Sequence, residues 1–248
     1  MLLAGVVLTI ILAEAELELV PDSIKGHSQV TAAARHRDRR PARTLLDSSL
    51  HHDAMHHLSE GERRGRPDLA HFSLILALDS ALNQADGLRI VVHTRNDERI
   101  AVNPDTRLMR NYPRFVGLME KLFQDLGTER AAANPFLVIE SGWPLKRVLE
   151  HHATGPVVCF SEKGRPVEPS TFLEEKAAAG DLTIVLGCFP HGDFHIEPST
   201  WASDVVSLGG DALSVWTVEM EVLAAWERAT KVFPRPAPGP TPAVAPPP

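Results

Sequence analysis

Leu182–Gly192 reads LTIVLGCFPHG, an aliphatic run that ends in a turn bearing two glycines. An apolar run this short, without polar alternation and closed by glycine and proline, fits a strand buried on both faces, as in a parallel sheet. The pattern recurs nearby. Val157–Phe160 (VVCF) is a second short strand, and Val205-Val206 lead into a second glycine turn, Leu208–Leu213 (LGGDAL). Ser214–Val232 then reads as a long helix, with Val215, Val218, Leu223 and Trp226 as its apolar positions. Buried strands alternating with helices predict an α/β fold on a largely parallel sheet.

Working outward, Met1–Leu12 (MLLAGVVLTIIL) is apolar but shorter than the roughly 20 residues of a membrane span. No Lys or Arg precedes it, and AEAELELV follows at once, so it lacks the layout of a signal peptide. Val6–Ala13 is read as the first buried strand, and no membrane segment is expected. Residues 35–43 (RHRDRRPAR) hold five arginines against one aspartate, a solvated loop or a phosphate contact. Thr44–Leu58 is expected as a helix, 59–67 as a loop and Leu69–Leu82 as a further helix. Leu88–His93 (LRIVVH) is a strand, Arg99–Val102 its hairpin partner, and Tyr112–Leu126 a helix.

The chain of 248 residues is 44% hydrophobic and 23% charged, enough to bury one core. Residues 1–233 are expected as one domain with a basic extension over about 25–68. The tail from Pro234 has eight prolines in fifteen residues and is expected to be disordered or polyproline-like. Two cysteines, Cys159 and Cys188, give no disulfide framework and suit a reducing cytoplasm. The net charge of −7 does not announce a nucleic-acid binder, so RNA binding requires a local basic surface.

Such a surface is present. Between Arg89 and Arg114, six arginines stand against Asp97, Glu98 and Asp105, inverting the sign of the whole chain. Arg107, Arg110 and Arg114 recur at three- and four-residue spacing in NPDTRLMRNYPRFVGLM (Asn103–Met119). On a helix that spacing puts them on one side, where guanidinium groups pair with phosphates; a solvated basic face fits the spacing equally well. In GRPDLAHFSLILALDSALN (Gly65–Asn83), Arg66 and Asp68 flank a proline, and Asp79 follows eleven residues later. Asp68 can take the Arg66 guanidinium in a bidentate contact and leave other donors for a phosphate or base edge; an ordinary loop salt bridge is the plainer reading. The two glycine turns permit close backbone approach to a ligand, but neither matches GxGxxG or a P-loop.

Two histidine groups invite a metal reading. Among His51, His52, His56 and His57, the pair His52 and His56 stands at i, i+4, without an evident third ligand or an HExxH pattern. His191, Asp193 and His195 alternate in HGDFH, as ligands on one strand face do. No metal is expected at either.

Taken in order, LLDSSLHH, GRPDLAHFSL, LDSALN, VHTR, VNPDTR, RFVGLM, LGCFPHG and LGGDALS resemble the ribosome-biogenesis family of N1-specific pseudouridine methyltransferases. That family belongs to the SPOUT superclass of knotted methyltransferases. The likeness runs from about Leu8 to about Trp226, and the number and order of the motifs make chance matching implausible.

The resemblance implies a parallel sheet with a C-terminal trefoil knot, a rare exception to unthreaded chains. It implies a homodimer that binds small-subunit rRNA across its subunits, with S-adenosylmethionine as methyl donor. Matched one by one, Arg66, Arg107, Arg110 and Arg114 are the RNA contacts, and Asp68 holds Arg66 in place. The cofactor turns correspond to Gly187 and Gly192, and to Leu208, Gly209, Gly210, Asp211, Ala212 and Leu213. The second turn is more glycine-rich than in relatives, and HHATG before Pro156 departs from the family pattern, so no contact is assigned there. Asp79, an acid within a matched motif, is the candidate for hydrogen-bonding the base and assisting proton loss. The competing expectation is a non-catalytic rRNA-binding assembly factor; an intact cofactor pocket separates the two.

Overall fold

In the computed structural model, which describes residues 5–209 and 212–233, the N-terminal apolar run forms the central strand of a seven-stranded sheet. In chain order the elements are β1 (Leu8–Ala15), α1 (Ser28–His36), α2 (Ser48–Met55), α3 (Pro67–Asp79), α4 (Ala81–Gln84), β2 (Leu88–Thr94), β3 (Glu98–Val102) and α5 (Tyr112–Asp125). There follow α6 (Glu129–Ala132), β4 (Leu137–Ser141), α7 (Leu145–His152), β5 (Val157–Pro166), α8 (Pro169–Ala179), β6 (Leu182–Gly187), β7 (Asp204–Ser207) and α9 (Val215–Thr230).

The strands lie in the order β4-β3-β2-β1-β6-β5-β7. β1 pairs in parallel with β2 and β6, and β5 pairs in parallel with β6 and β7. β3 runs antiparallel between β2 and β4, so the sheet is mostly, not wholly, parallel. Every residue of β1 is buried, as a central strand with both faces covered requires. Leu8, Ile10 and Leu12 face one core with α3, α5, α8 and α9, while Ile11 and Ala13 face a second core with α7. A third small core, with Val30, Leu46, Ala54 and Met55, lies under the extension that carries α1 and α2.

Several boundaries differ from the sequence expectation. Val6–Ala13 is displaced by two residues to Leu8–Ala15. Thr44–Leu58 is not one helix: Thr44–Asp47 is extended, Leu45 bridges Leu19, and the helix begins only where the Asp47 side chain accepts from Ser49 N. Leu69–Leu82 is broken at Ser80, whose extended backbone ends α3 and whose hydroxyl accepts from Asn83 N to start α4. Residues 103–111 are a loop, so Arg107 and Arg110 do not belong to the helix that carries Arg114. There Asn103 Oδ1 accepts from Asp105 N, and Asn111 caps α5 through Arg114 N, local bonds that compete with helix. Strand β4 and helices α7 and α8 were not anticipated. The proline-rich tail lies outside the described residues.

One buried group stands apart. Glu219 on α9 is fully buried, neither carboxyl oxygen finds a hydrogen-bond partner among the described residues, and burial pushes its pKa up to about 8. The folded chain keeps this proton until about pH 8, whereas the unfolded chain releases it near the ordinary value of 4.5. Stability from Glu219 is therefore full below that ordinary value and is lost as pH rises through the folded value, by at most about 1.4 kcal/mol per unit. Glu219→Gln removes this dependence. Urea titrations should show the variant gaining on the wild type from pH 5 to pH 8; a pH-independent gap would mean the carboxyl is charged or paired in the fold.

Candidate functional site

The carboxyl ends of β5, β6 and β7 open into one cleft, the edge where open α/β sheets hold ligands. It encloses about 820 Å³, counted out to solvent. Phe160, Leu186, Val215 and Val218 give apolar walls, and Ser161, Glu162, His191 and Ser207 add polar groups. Gly187, Gly192, Leu208, Gly209, Ala212 and Leu213 all line it, so both glycine turns converge on the same space. Gly210 and Asp211 lie outside the described residues. A Cβ on Gly187 would sit 2.6 Å from the Phe189 ring, so a larger residue there requires that ring to move. Gly209 has φ +80°, a left-handed turn that lets the chain fold back from β7 toward α9.

A buried ionic cluster supports the cleft from below. Glu14 has φ +51°, and the β1 register shifts between Leu12 and Ala15. This bulge carries Ala15 and Leu17 to the α3 side and leaves Glu14, Glu16 and Glu18 among arginines. His93 Nδ1 accepts from Glu14 N at 3.1 Å, and its Nε2 lies 3.1 Å from Asp97, so the ring holds the bulge while burial pushes its pKa down. Arg63 donates to Glu14 and Glu16 and to the carbonyl of Asp193, with its guanidinium 3.7 Å from the Phe189 ring centroid. One side chain thus ties the end of β1 to the cleft loop. Arg64 donates bidentately to Glu18, and Arg95 donates to Glu16 and reaches Glu60.

Two of the HGDFH residues take part in the same network. Asp193 pairs with Lys163 at 2.6 Å, and His195 sits between Glu14 at 2.8 Å and Glu60 at 3.2 Å. They lie in turns rather than on a strand, and their polar atoms are committed to ion pairs.

Arg66 stands beside this cluster. Its guanidinium makes the expected bidentate contact with Asp68, at 2.8 and 2.7 Å. Its backbone N–H donates to Glu16 O, and Glu16 N–H donates to Cys188 O, one residue past Gly187. Two backbone bonds therefore link the first glycine turn to Arg66. Tyr112 O–H donates to Asp47 at 2.6 Å, while burial and the Asp47 carboxylate push its pKa up. His71 stacks on Phe115 at 4.3 Å and bonds Met109 O through Nε2, packing the 103–111 loop and α5 against α3.

Asp79 lies at the far end of α3, about 20 Å along the helix from Arg66 at 1.5 Å per residue. There it pairs with Arg110 at 2.7 Å, both exposed. Arg107 is exposed and borders a second cavity with Phe136 and Leu137. Arg114 is exposed on the first turn of α5. The structure thus pairs Arg66 with Asp68 and Arg110 with Asp79, and does not bring Asp79 to the cleft of its own chain. The HHATG segment packs at the opposite edge of the sheet, where Thr154 meets Thr9 and Thr183. Of the basic run 35–43, Arg37 is taken by Glu120 in a bidentate pair, and Arg35, Arg39, Arg40 and Arg43 are exposed.

Sequence reasoning missed Arg63, Glu14, Glu16 and Glu18. The signal was the strict alternation in AEAELEL, where every second residue is an acid straight after a buried strand.

A match to the EMG1/NEP1 methyltransferase family spans residues 10–227. The ribosomal RNA small subunit methyltransferase Nep1 of Methanothrix thermoacetophila is 41% identical over 220 residues, covering 89% of this chain and 95% of the relative. That of Thermococcus kodakarensis is 44% identical over 222 residues, covering 90% and 98%. The crystal structure of Archaeoglobus fulgidus Nep1 bound to S-adenosylhomocysteine superposes with a TM-score of 0.77 at 40% identity, covering 90% of this chain and 98% of that one.

Removing one partner of a buried ion pair strands the other charge, at a cost of about 3–5 kcal/mol. Arg63→Met leaves Glu14 and Glu16 short of a cation, so its unfolding free energy in urea titration should fall by that order, through a lower midpoint with little change in slope. An unchanged midpoint would show that Arg63 carries no such load.

Proposed function

The chain belongs to the EMG1/NEP1 methyltransferase family, and on that footing we propose that it transfers a methyl group from S-adenosylmethionine to small-subunit rRNA, at N1 of a pseudouridine, during ribosome biogenesis. The observation that carries this reading is the link between two sites. A glycine-bounded cleft at the strand ends is joined through Glu16 to a pre-set arginine, Arg66. A non-catalytic assembly factor needs the arginine but not the cleft.

The cleft fits the donor. Its apolar walls Phe160, Leu186, Val215 and Val218 suit a flat ring, and the backbone at Gly187, Gly192, Leu208, Gly209, Ala212 and Leu213 can read its edge without side chains. Gly210 and Asp211, matched to the family's cofactor motif, are proposed as cofactor contacts as well. When bound, S-adenosylmethionine supplies a methyl group on a positively charged sulfur, already a strong electrophile. The protein's work is therefore positioning.

Pseudouridine is carbon-linked, so its N1 carries a proton; the N1 electron pair forms the new bond to carbon and the proton leaves. Of the four matched arginines, Arg66, fixed by Asp68, is the one linked by backbone bonds to the first glycine turn, and it holds a phosphate or the extruded base. Arg107, Arg110 and Arg114 hold the RNA backbone further along α3 and α5. Asp79 is the proposed partner of the base and aid to proton loss. Since α3 carries it away from the cleft of its own chain, we propose that it serves the cleft of a second copy.

That second copy is part of the proposal. Phe72 and Met220 are exposed, and Phe72 packs on Trp216 at 5.3 Å, so α3 and α9 present an apolar face beside the arginines, suited to a homodimer. We read residues up to 233 as one domain, with a trefoil knot in the C-terminal segment and a cytoplasmic location. Among the described residues no helix is long and apolar enough to cross a membrane.

Three outcomes test this. Incubated with labelled S-adenosylmethionine and rRNA fragments carrying uridine or pseudouridine, the protein should label only the latter; equal labelling refutes the base assignment. Arg66→Ala or Arg110→Ala should weaken RNA binding and flatten its log–log salt dependence by about 0.7–0.9, with cofactor affinity unchanged in calorimetry. Asp79→Asn should bind RNA normally and lose methyl transfer. Mixing it with Arg66→Ala should restore part of the activity, since one mixed dimer keeps an intact site, and no recovery means Asp79 does not act across subunits.

A further inference from the structure

The sequence left His52 and His56 as a pair of histidines on one helix face without a third ligand. The fold supplies one. The ring nitrogens of His52 and His56 and a carboxylate oxygen of Asp53 all lie within 4.8 Å of one another, and all three residues are exposed. The helix geometry explains this. At about 100° per residue, position 56 projects between positions 52 and 53, one turn further on. His56 keeps helical backbone angles, φ −59° and ψ −19°, although it closes α2, so the rotation carries through to it.

The backbone under this group is held from the other side. Gln29 Oε1 on α1 accepts from Asp53 N at 3.0 Å and Ala54 N at 3.4 Å. Ala54 and Met55 are buried in the small core of the extension, and buried His51 accepts from Asp47 N through Nδ1. With that face anchored, His52, Asp53 and His56 point to solvent. None of the three side chains has a hydrogen bond or ion pair among the described residues; their one close contact is between the two imidazole rings, whose centroids are 4.9 Å apart. Other histidines differ: His93 bonds Asp97 and Glu14, and His195 lies between Glu14 and Glu60.

We propose that His52, Asp53 and His56 form a solvent-open site for a first-row divalent cation of the zinc, nickel or copper type. Two imidazole nitrogens and one carboxylate oxygen suit these borderline ions, whereas magnesium and calcium prefer all-oxygen shells. Three protein ligands leave the remaining positions to water, as in open zinc sites. The site lies outside the methyl-transfer machinery, so it stands whether or not the RNA reading does.

The test uses the full chain without a histidine tag, titrated calorimetrically with zinc chloride, nickel chloride and, as comparator, magnesium chloride. One equivalent of zinc or nickel should bind, and magnesium should not. His52→Ala and His56→Ala should each weaken binding more than about tenfold, the loss that even an outer-shell change brings, and Asp53→Asn should weaken it as well. Zinc should raise the melting temperature of the wild type and leave that of the double variant His52→Ala, His56→Ala unmoved. His151, exposed, and His152, half-buried and bonded to Arg99, serve as the control pair on α7, and replacing both with alanine should leave binding intact. Absence of binding, binding that survives in the His52/His56 double variant, binding indifferent to Asp53→Asn, or loss with the His151/His152 pair would each overturn the assignment.

Discussion

A guanidinium buried among carboxylates has no neutral state to retreat to, so its neighbours must be arranged around it. Arg63 occupies that position here. It bonds Glu14 and Glu16 at the end of β1, accepts the Phe189 ring against its face, and donates to the carbonyl of Asp193 in the cleft loop. Isolated, none of the charged and polar groups among these tolerates burial. Together they are mutually satisfied, and the cleft loop inherits the rigidity of the central strand. The left-handed backbone at Glu14 costs on the order of 1–3 kcal/mol in such residues. It is held by the His93 bond, and it places Glu14 and Glu16 where Arg63 can bridge them.

The same cluster explains how segments far apart in the chain meet. The loop before α3 supplies Arg63, Arg64 and Arg66, β2 leads into Arg95, and the turn after β6 supplies Phe189 and Asp193. Parallel strands bring all these ends to one edge of the sheet, since each crossover returns the chain to the same starting side. α3 then runs back across the sheet, which is why Arg66 and Asp79, close in sequence motif, lie at opposite ends of the molecule's working face. A homodimer would close that gap by bringing the far end of one α3 near the cleft of its partner.

The proposed metal triad and the Arg66–Asp68 pair show two kinds of local information. Arg66 and Asp68 were legible because a two-residue spacing around a proline leaves little choice of partner. His52, Asp53 and His56 are equally local: the i, i+4 spacing shows the histidine pair, and helical rotation brings the intervening Asp53 alongside. The arginine row 107–114 misled for the opposite reason. Its spacing is helical, but asparagines at 103 and 111 satisfy backbone groups in turns and start the helix late.

What the sequence by itself determined is what short-range physics governs. It specified the starts of the strands at Leu8, Val157, Leu182 and Asp204 to within two residues, though β5 runs six residues past its expected end, together with the glycine turns, the α/β class and the Arg66–Asp68 contact. Its ordered motifs also identified the family. Only the tertiary structure decided which charges are buried, that Glu14, Glu16 and Glu18 share three arginines, that both glycine turns face one cleft, and that Asp79 meets Arg110 instead. Burial and ion pairing depend on residues 46 to 181 positions apart meeting in space. No local pattern encodes that distance; it follows from strand order and from the cost of leaving a buried charge without a partner.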